Sequence, residues 1–391
     1  MLNHGAEIAQ RASDGETALH AACRRGTLDT VQLLLDSDAP TAARDDADRT
    51  PLHALLADDG PLSEADRLII ATALLQDDDD DDLIVDAVAA EGTALHLAYA
   101  RRYFGIARLL VENGASPALR SKEGWMPLHD LAEMDCTDLL DAQILCVGEH
   151  VRLLVEKGAQ LEARADGRRS LTPLMFAAEA GSLAALTALL ALHANVSPRN
   201  ADGDKALAIA ARAGHVPCLE PLVRAGASAD ERRPIGAAKR RPLVVECVVL
   251  GQHAAAVELL RLGAAPEGVL KRLLSSAGAD DTRSEEQRLA TARAALEREL
   301  ALRPASARPL HLIATCAPAA LPFAARLLQL VPASAPFQAE DEGGATPLEA
   351  AMRCSPAHAR QLSRAMTSLR RCSSWSRQAA SWRAGCSSST W

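Results

Sequence analysis

The sequence predicts an all-α solenoid of stacked helix-turn-helix pairs joined by hairpin-like fingers, and three observations predict it. A four-residue phrase, Thr-Pro-Leu-His or a near copy, recurs along most of the chain. Each clear copy is followed by small residues, a stop, and a leucine-rich stretch at helical spacing. Aromatic residues make up 3% of the chain while the AVILMFWYC set reaches 48%, so the core has to be built from Ala, Leu and Val. That suits small, closely packed helices and argues against a large aromatic-lined ligand pocket. The 391 residues also exceed the size at which one globular core stops growing, about 250–300 residues, which leaves several domains or a repeat array.

The phrase opens at Thr17, Thr50, Thr93, Met126, Thr172 and Lys205, with weaker copies at Arg241, Arg308 and Thr346. The intervals are 33, 43, 33, 46, 33, 36, 67 and 38 residues. The longer ones read as 33 with inserted loop residues, and the 67 has room for one degenerate copy. Thr can cap a helix start, and Pro is tolerated in the first turn, where its missing N–H has no partner to lose. Glycines such as Gly26, Gly181 and Gly214 then end the short helix in a left-handed conformation. The second helix carries Leu28, Val31, Leu34 and Leu35 in the first unit, Ile106, Leu109 and Leu110 in the third, and Leu183, Leu186, Leu189 and Leu190 in the fifth. Gly-Ala pairs at Gly114, Gly158, Gly226 and Gly263 stop it. The polar stretch before the next phrase is too turn-rich for a helix and predicts an extended finger. Helices of about 8–10 residues are marginal alone, so each pair has to gain stability by stacking.

The order Gly-x-Thr-Pro-Leu-His, small residues, Gly, Leu-rich helix, Gly-Ala resembles the ankyrin repeat family, whose period is about 33 residues. The resemblance covers 13–265 clearly and extends more weakly through a degenerate copy at 266–303 and two further copies to about 367. The expected organisation is therefore an N-terminal cap over 1–12, an array of about seven units over 13–265 with two inserted loops, degenerate helical repeats over 266–367, and a Ser/Arg/Trp tail over 368–391. Asp38 and His193 depart from the pattern, standing where the family has the second-helix glycine.

The resemblance implies protein binding on a concave surface made by fingers and first helices. Registered on the phrase, the variable contact positions fall at Ser13, Asp14 and Glu16, then at Asp46, Ala47 and Arg49. They continue at Lys122, Glu123 and Trp125, and at Arg168, Arg169 and Leu171. First-helix positions add Arg24, Arg25, Ala100, Arg101, Glu133 and Met134. Trp125 is the only tryptophan outside the tail, and two roles are open to it: contact with a partner, or shielding of the adjacent first helix and the insert at Asp135–Val147.

Other features read as structural. His20, His53, His96 and His129 sit one unit apart, too dispersed to converge on a metal, and the family uses this histidine structurally. Asp77 to Asp82 lacks the alternating ligands of a calcium loop and reads as a solvated insert, with an acidic docking patch as the alternative. Arg232, Arg233, Lys239, Arg240 and Arg241 read as an exposed basic finger, with a nuclear-import signal as the alternative. Thr282 to Leu302 predicts an amphipathic helix, with Leu289, Ala292, Leu296 and Leu300 packed on the array. Nine scattered cysteines with no C-x-x-C spacing read as reduced and mostly buried. The tail from Arg370, with Trp375, Trp382 and Trp391, is open to two readings: a disordered peptide with aromatic anchors, or a stretch translated from a misassigned frame.

The net charge of −9 argues against nucleic acid as a ligand, and no 18-residue apolar run predicts a membrane span. No phosphate loop, nucleophile elbow or H-E-x-x-H helix occurs. The expectation is a monomeric, non-catalytic scaffold or adaptor that binds another protein without cofactor or metal, in the cytoplasm, with the nucleus as second compartment. The alternative is a substrate-recognition subunit of a ubiquitin ligase, because Ala319-Ala320-Leu321-Pro322-Phe323 with Leu327-Leu328 resembles the start of a ligase-recruiting helical box. The same residues fit the second helix of a repeat, which is the preferred reading.

Overall fold

The computed structural model describes residues 7–25, 28–57, 62–76, 84–134, 141–166, 169–235, 239–275, 282–302, 308–316, 320–330 and 345–354. The acidic run at 77–82, Arg168, Ala319 and the tail from 370 lie outside them. The chain divides into two compact units, Met1–Ile209 and Ala210–Trp391.

In the first unit, helices begin one residue after each phrase opens, as the Thr-Pro pattern requires. The first helices are α1 (Ala18–Arg25), α3 (Pro51–Ala57), α5 (Ala94–Ala100), α7 (Pro127–Glu133) and α9 (Pro173–Ala180). Each packs on the next to form one layer. The second helices are α2 (Leu28–Leu35), α4 (Glu64–Gln76), α6 (Phe104–Glu112), α8 (Asp141–Glu156) and α10 (Leu183–Ala191), stacked as the other layer. Helix α11 (Ala206–Ala213) contains the boundary between the units.

The second unit continues with a 3-10 turn (Val216–Cys218) and α12 (Leu219–Arg224), then α13 (Leu243–Val249) paired with α14 (His253–Arg261). Helices α15 (Val269–Ser275) and α16 (Thr282–Leu302) follow, then α17 (Arg308–Ala314), α18 (Leu321–Leu330) and α19 (Pro347–Cys354). Helix α15 packs between α13 and α17, and α16 between α14 and α18, so the 67-residue interval does hold a complete helix pair. Its long helix buries Leu289, Ala292 and Leu296, while Leu300 is half-buried. Helix α18 takes the place of a repeat's second helix beside α16 and α17.

Among the described residues, strand is limited to two antiparallel hairpins: β1 (Val88–Ala89) with β2 (Gly92–Thr93), and β3 (Arg232–Ile235) with β4 (Lys239–Pro242). The second is the basic finger, with Arg233 opposite Arg241. The other fingers are turns. No helix of the described residues is long and apolar enough to cross a membrane.

The core is the aliphatic one that the composition demands: Leu19, Leu52, Leu95, Leu128 and Leu174, the leucines of the phrase, are all within 1% of full burial. Spacing alone overstates the buried stripe of the second helices. Leu110 is fully buried but Leu109 only half, Leu34 and Leu190 are half-buried, and Leu183 is 39% exposed. A second helix meets the first-helix layer and its two neighbours with less than its whole apolar face, and Leu183 opens its helix at the rim. Asp38 and His193 take positive φ values of 57° and 65°, adopting the left-handed stop where glycine was expected. Cys23, Cys218, Cys247 and Cys316 are buried, whereas Cys146 is half-buried and Cys354 exposed. Burial pushes the Cys23 and Cys247 thiols up to about 12, far from the thiolate that reactivity needs.

Two arginines with no sequence signal lie in this core. Arg67 of α4 is 1% exposed, donates to the Leu55 and Leu62 carbonyls, and lies over the Tyr103 ring at 5.5 Å. Arg288 of α16 donates to the Leu273 carbonyl at 3.2 Å and lies 5.2 Å over the Phe323 ring. Each reaches back from a second helix to a carbonyl near the end of its own first helix, and stacks on an aromatic residue at the start of the following second helix.

Candidate functional site

The fingers and first helices of the first unit are held in register by two sets of side chains aimed at backbone. In the first four phrases the histidine Nδ1 accepts from the backbone N–H three residues earlier: Thr17 at 3.2 Å, Thr50 at 3.4 Å, Thr93 at 3.2 Å and Met126 at 3.1 Å. The Thr hydroxyls stand 2.8 Å from the same nitrogen. At Thr93 the two side chains complete a capping box, the Thr93 side chain accepting from the His96 backbone N–H while His96 accepts from the Thr93 N–H, so threonine caps there as the sequence reading has it; at Thr172, where no histidine follows, no side-chain cap bond forms. Across the junction, Nε2 faces a carbonyl of the next finger: His20 to Arg49 at 2.9 Å, His53 to Gly92 at 3.2 Å, His96 to Trp125 at 3.0 Å and His129 to Ala163 at 3.1 Å. An N–H only donates and a C=O only accepts, so the ring is fixed as the neutral tautomer carrying its proton on Nε2. Burial lowers His53 and His96 to about 4 and also lowers His129. The structural reading of these histidines holds.

The second set is an arginine ladder that sequence reasoning missed. Arg11 Nε donates to the Gly15 carbonyl at 3.0 Å and its Nη2 to the Arg44 carbonyl at 2.6 Å. Arg44 donates to the Val88 carbonyl at 3.2 Å, and Arg120 to the Gly124 and Arg164 carbonyls at 2.8 and 2.9 Å. Arg164 donates to the Ser170 and Arg199 carbonyls at 3.2 and 3.0 Å, and Arg199 to Gly203 at 2.6 Å. A signal existed: Arg11, Arg44, Arg120 and Arg199 each stand six residues ahead of a phrase. Close docking of the fingers also explains Gly124, at φ +77°, where an added Cβ would lie 2.6 Å from Asp166.

On this frame the residues singled out from the sequence fall into two groups. Asp14, Arg25, Lys122, Glu123 and Arg169 are exposed, as are Ser13, Asp46, Ala47 and Ala100. Arg169 pairs with Asp202 at 3.0 Å and Glu179 at 2.5 Å. The others are engaged internally. Glu16, only 6% exposed, accepts both guanidinium arms of Arg24 at 2.5 and 2.7 Å. Arg49 stands 3.8 Å from Glu16 and donates to Asp45 at 2.8 Å. Arg101 donates to the Ala57 carbonyl at the end of α3. Leu171 is fully buried and Met134 is 7% exposed, so neither is an open contact position; both complete the packing of their own junction. Trp125 is half-buried, with its ring edge-on to Phe176 of the next repeat at 5.0 Å and 68°. It packs forward across the junction, a contact that neither sequence reading supplied. Glu133 is half-buried.

Asp130, which the sequence reading passed over, lies on α7 and faces His96 of α5. Its Oδ2 is buried, has no hydrogen-bond partner among the described residues, and stands 4.0 Å from His96 Nε2. Burial, followed by the neighbouring Glu133 and Glu123 charges, raises its carboxyl well above the usual carboxylate range. Among the described residues, no group of three or more His, Cys, Asp or Glu side chains could hold a metal ion.

Stacked helix pairs, fingers tied by histidine and arginine to the next repeat, and variable side chains on the finger face define a helical-repeat protein of the protein-interaction class. Comparison with known proteins gives the family. An ankyrin repeats model (3 copies) matches residues 1–59 and 143–233, and an ankyrin repeat model matches 92–122. The chain belongs to the ankyrin repeat family. It is 29% identical over 223 residues to the B-cell lymphoma 3 protein homolog of Mus musculus, covering 55% of this chain and 45% of that one. It is 28% identical over 188 residues to Rabankyrin-5 of Mus musculus, covering 48% and 14%. It is 29% identical over 226 residues to ankyrin repeat protein nuc-2 of Neurospora crassa, covering 57% and 19%. The matches span less than half of each of these relatives.

Proposed function

We propose that the chain is a non-catalytic adaptor that binds a partner protein on the fingers and first helices of its first unit. One observation carries the reading. The positions facing outward from fingers and first helices differ in every repeat, while the histidines and arginines that hold them repeat in register. Variation confined to one face of a fixed frame is what recognition needs, because a rigid surface binds without the entropy cost of ordering itself. Internal pairs such as Glu16 with Arg24 and Arg169 with Asp202 set the geometry of charged groups in advance. The cytoplasm is the compartment that goes with this proposal.

Helix α18 packs against both α16 and α17, with Phe323 under Arg288 and Arg326 paired to Glu285 at 2.8 Å. That supports the repeat reading of this segment over the ligase-recruiting box.

The test captures partners on the immobilised full chain and compares two double variants. Arg25→Glu with Lys122→Glu, on the finger and first-helix face, should weaken the captured complex about tenfold or more. Arg152→Glu with Glu156→Lys, on the exposed face of α8, should leave it unchanged. The reverse pattern would move the binding surface to the second-helix layer and reject the proposal.

A further inference from the structure

The finger ahead of α13 is charged unlike the others. Residues 232–242 hold five cations, Arg232, Arg233, Lys239, Arg240 and Arg241, and no acid. Fingers of the first unit set an acid against their arginines: Asp45 against Arg49 at 2.8 Å, Asp166 against Arg120 at 3.2 Å and Asp202 against Arg169 at 3.0 Å. In the basic finger Arg232 reaches Glu267 at 3.2 Å, while half-buried Arg241 has no ion pair among the described residues. Asp230 and Glu231 precede the hairpin, Asp230 exposed and Glu231 buried at its base.

The register sorts these residues by face. Arg232, Arg233, Pro234 and Ile235 stand opposite Pro242, Arg241, Arg240 and Lys239. Opposite residues share a face and successive ones alternate, so Arg233, Lys239 and Arg241 belong to one face with Ile235. Arg232 and Arg240 belong to the other, with both prolines. The Leu243 N–H donates to the Glu231 carbonyl at 2.9 Å, which marks that pair as a hydrogen-bonded one. Alternation along the ladder makes Arg233 with Arg241 and Ile235 with Lys239 the next such pairs. Pro234 and Pro242 then occupy the positions whose N–H would point off the outer edges. Proline has no N–H, so each edge is blunted against an added strand. What the hairpin offers instead is charge. Arg233 and Arg241 are directly opposite and of like sign, an arrangement that destabilises a ladder unless an anion lies beside it.

We propose that this face of the β3–β4 finger docks an acidic, extended segment of a partner protein, held by Arg233, Lys239 and Arg241. It lies in the second unit, outside the surface proposed above, so loss of one leaves the other in place. Lys239 and Arg241 are two residues apart on one strand, about 7 Å, which is also the spacing of alternate residues in an extended chain. Carboxylates at every second position of the segment therefore meet both, with Arg233 opposite. The net charge of −9 disfavours a long polyanion such as nucleic acid, which would run past the finger, whereas a short acidic stretch meets the finger alone.

The experiment measures, by fluorescence anisotropy on the full chain, a labelled peptide with glutamate at alternate positions and its glutamine counterpart. The glutamate peptide should bind and the glutamine peptide should not, with affinity falling as salt is raised. Arg233→Gln, Lys239→Gln and Arg241→Gln together should weaken binding about tenfold or more and melt no lower than wild type. Arg233→Gln with Lys239→Gln, which spares half-buried Arg241, should give a smaller loss in the same direction. Arg25→Gln, Lys122→Gln and Arg152→Gln, which remove equal charge from the first unit, should leave binding unchanged. Equal losses from the two triple variants would reduce the effect to net charge and overturn the finger site. So would failure of the glutamate peptide to bind, or tighter binding of a single-stranded oligonucleotide of the same charge. None of these results bears on the first unit's surface, which is tested by capture of a partner.

Discussion

The two units reach the same stacked-pair architecture by different means. In the first, four successive junctions are crossed by a histidine bonded to the next finger's carbonyl. In the second, the phrase has decayed: Val244 stands at the histidine position of the seventh copy, and His311, bonded to the Ala345 carbonyl at 2.6 Å, is the conspicuous survivor. What replaces the ladder is burial along α16, 21 residues long, whose Ala292, Ala295 and Leu296 are fully covered. Both units share the arginine device, Arg67 in one and Arg288 in the other. In both cases the connection between the paired helices is long, and an arginine from the second helix supplies the first helix's orphan carbonyls. The phrase is therefore one solution to joining repeats, and buried area with a single directed cation is another.

Acid should separate the two most strongly. His53 and His96 are lowered to about 4 from an unfolded value near 6.5, so the unfolded chain binds more protons throughout that interval. Their contribution is complete above about pH 6.5 and is lost as pH falls toward 4, about 3 kcal/mol for each. Protonated Nδ1 would face the Thr N–H donor-to-donor, so the cap is lost with the charge gained. Asp130 works in the opposite direction, since its raised carboxyl is relieved as it takes up a proton. Urea denaturation with limited proteolysis at pH 7 and at about pH 4.5 should show the first unit losing stability ahead of the second. Equal losses in both units would break the comparison.

The next effect tests what the units share. Arg67→Met keeps most of the aliphatic stem but leaves the Leu55 and Leu62 carbonyls without their donor, at a cost of about 3 kcal/mol. Arg288→Met leaves the Leu273 carbonyl and should cost about 2 kcal/mol. Thermal melts of the two variants measure this, and a neutral Arg67→Met would show that those carbonyls find other donors.

The repeat phrase made the fold legible because it encodes local chemistry: a helix start, a stop, and leucines at the period of a helix. Even the degenerate pair α15 and α16 was foreshadowed by an interval of twice the period. The candidate site was legible only as positions. Register placed Glu16, Arg24 and Arg49 on the finger face, but not the ion pairs that hold them, which depend on side chains from separate segments. Leu109 and Leu110 show the same limit, for spacing marks both and only the packed neighbour decides which is covered. Arg67 carries no periodic signal, because its partners are carbonyls and any residue supplies those.

The smallest effect concerns the junctions on either side of the finger that carries Trp125. At the later one, Trp125 packs edge-on against Phe176; at the earlier one, Gly92 and Asp130 offer no apolar contact. An aromatic pair contributes about 0.5–1.5 kcal/mol beyond the area it buries, so Trp125→Ala should lower stability by about 1–2 kcal/mol, with most of the loss from the contact with Phe176. Phe176→Leu, which keeps an apolar residue and removes the ring, should then make Trp125→Ala nearly neutral, because the two changes delete one interaction. The part of the indole that stays exposed makes the complementary claim about binding. Trp125→Ala should weaken a captured partner by more than its stability loss explains, measured as affinity per folded molecule. Additive stability losses would show that Trp125 packs independently of Phe176. Unchanged affinity would confine the tryptophan to holding the junction and leave recognition to the charged finger tips.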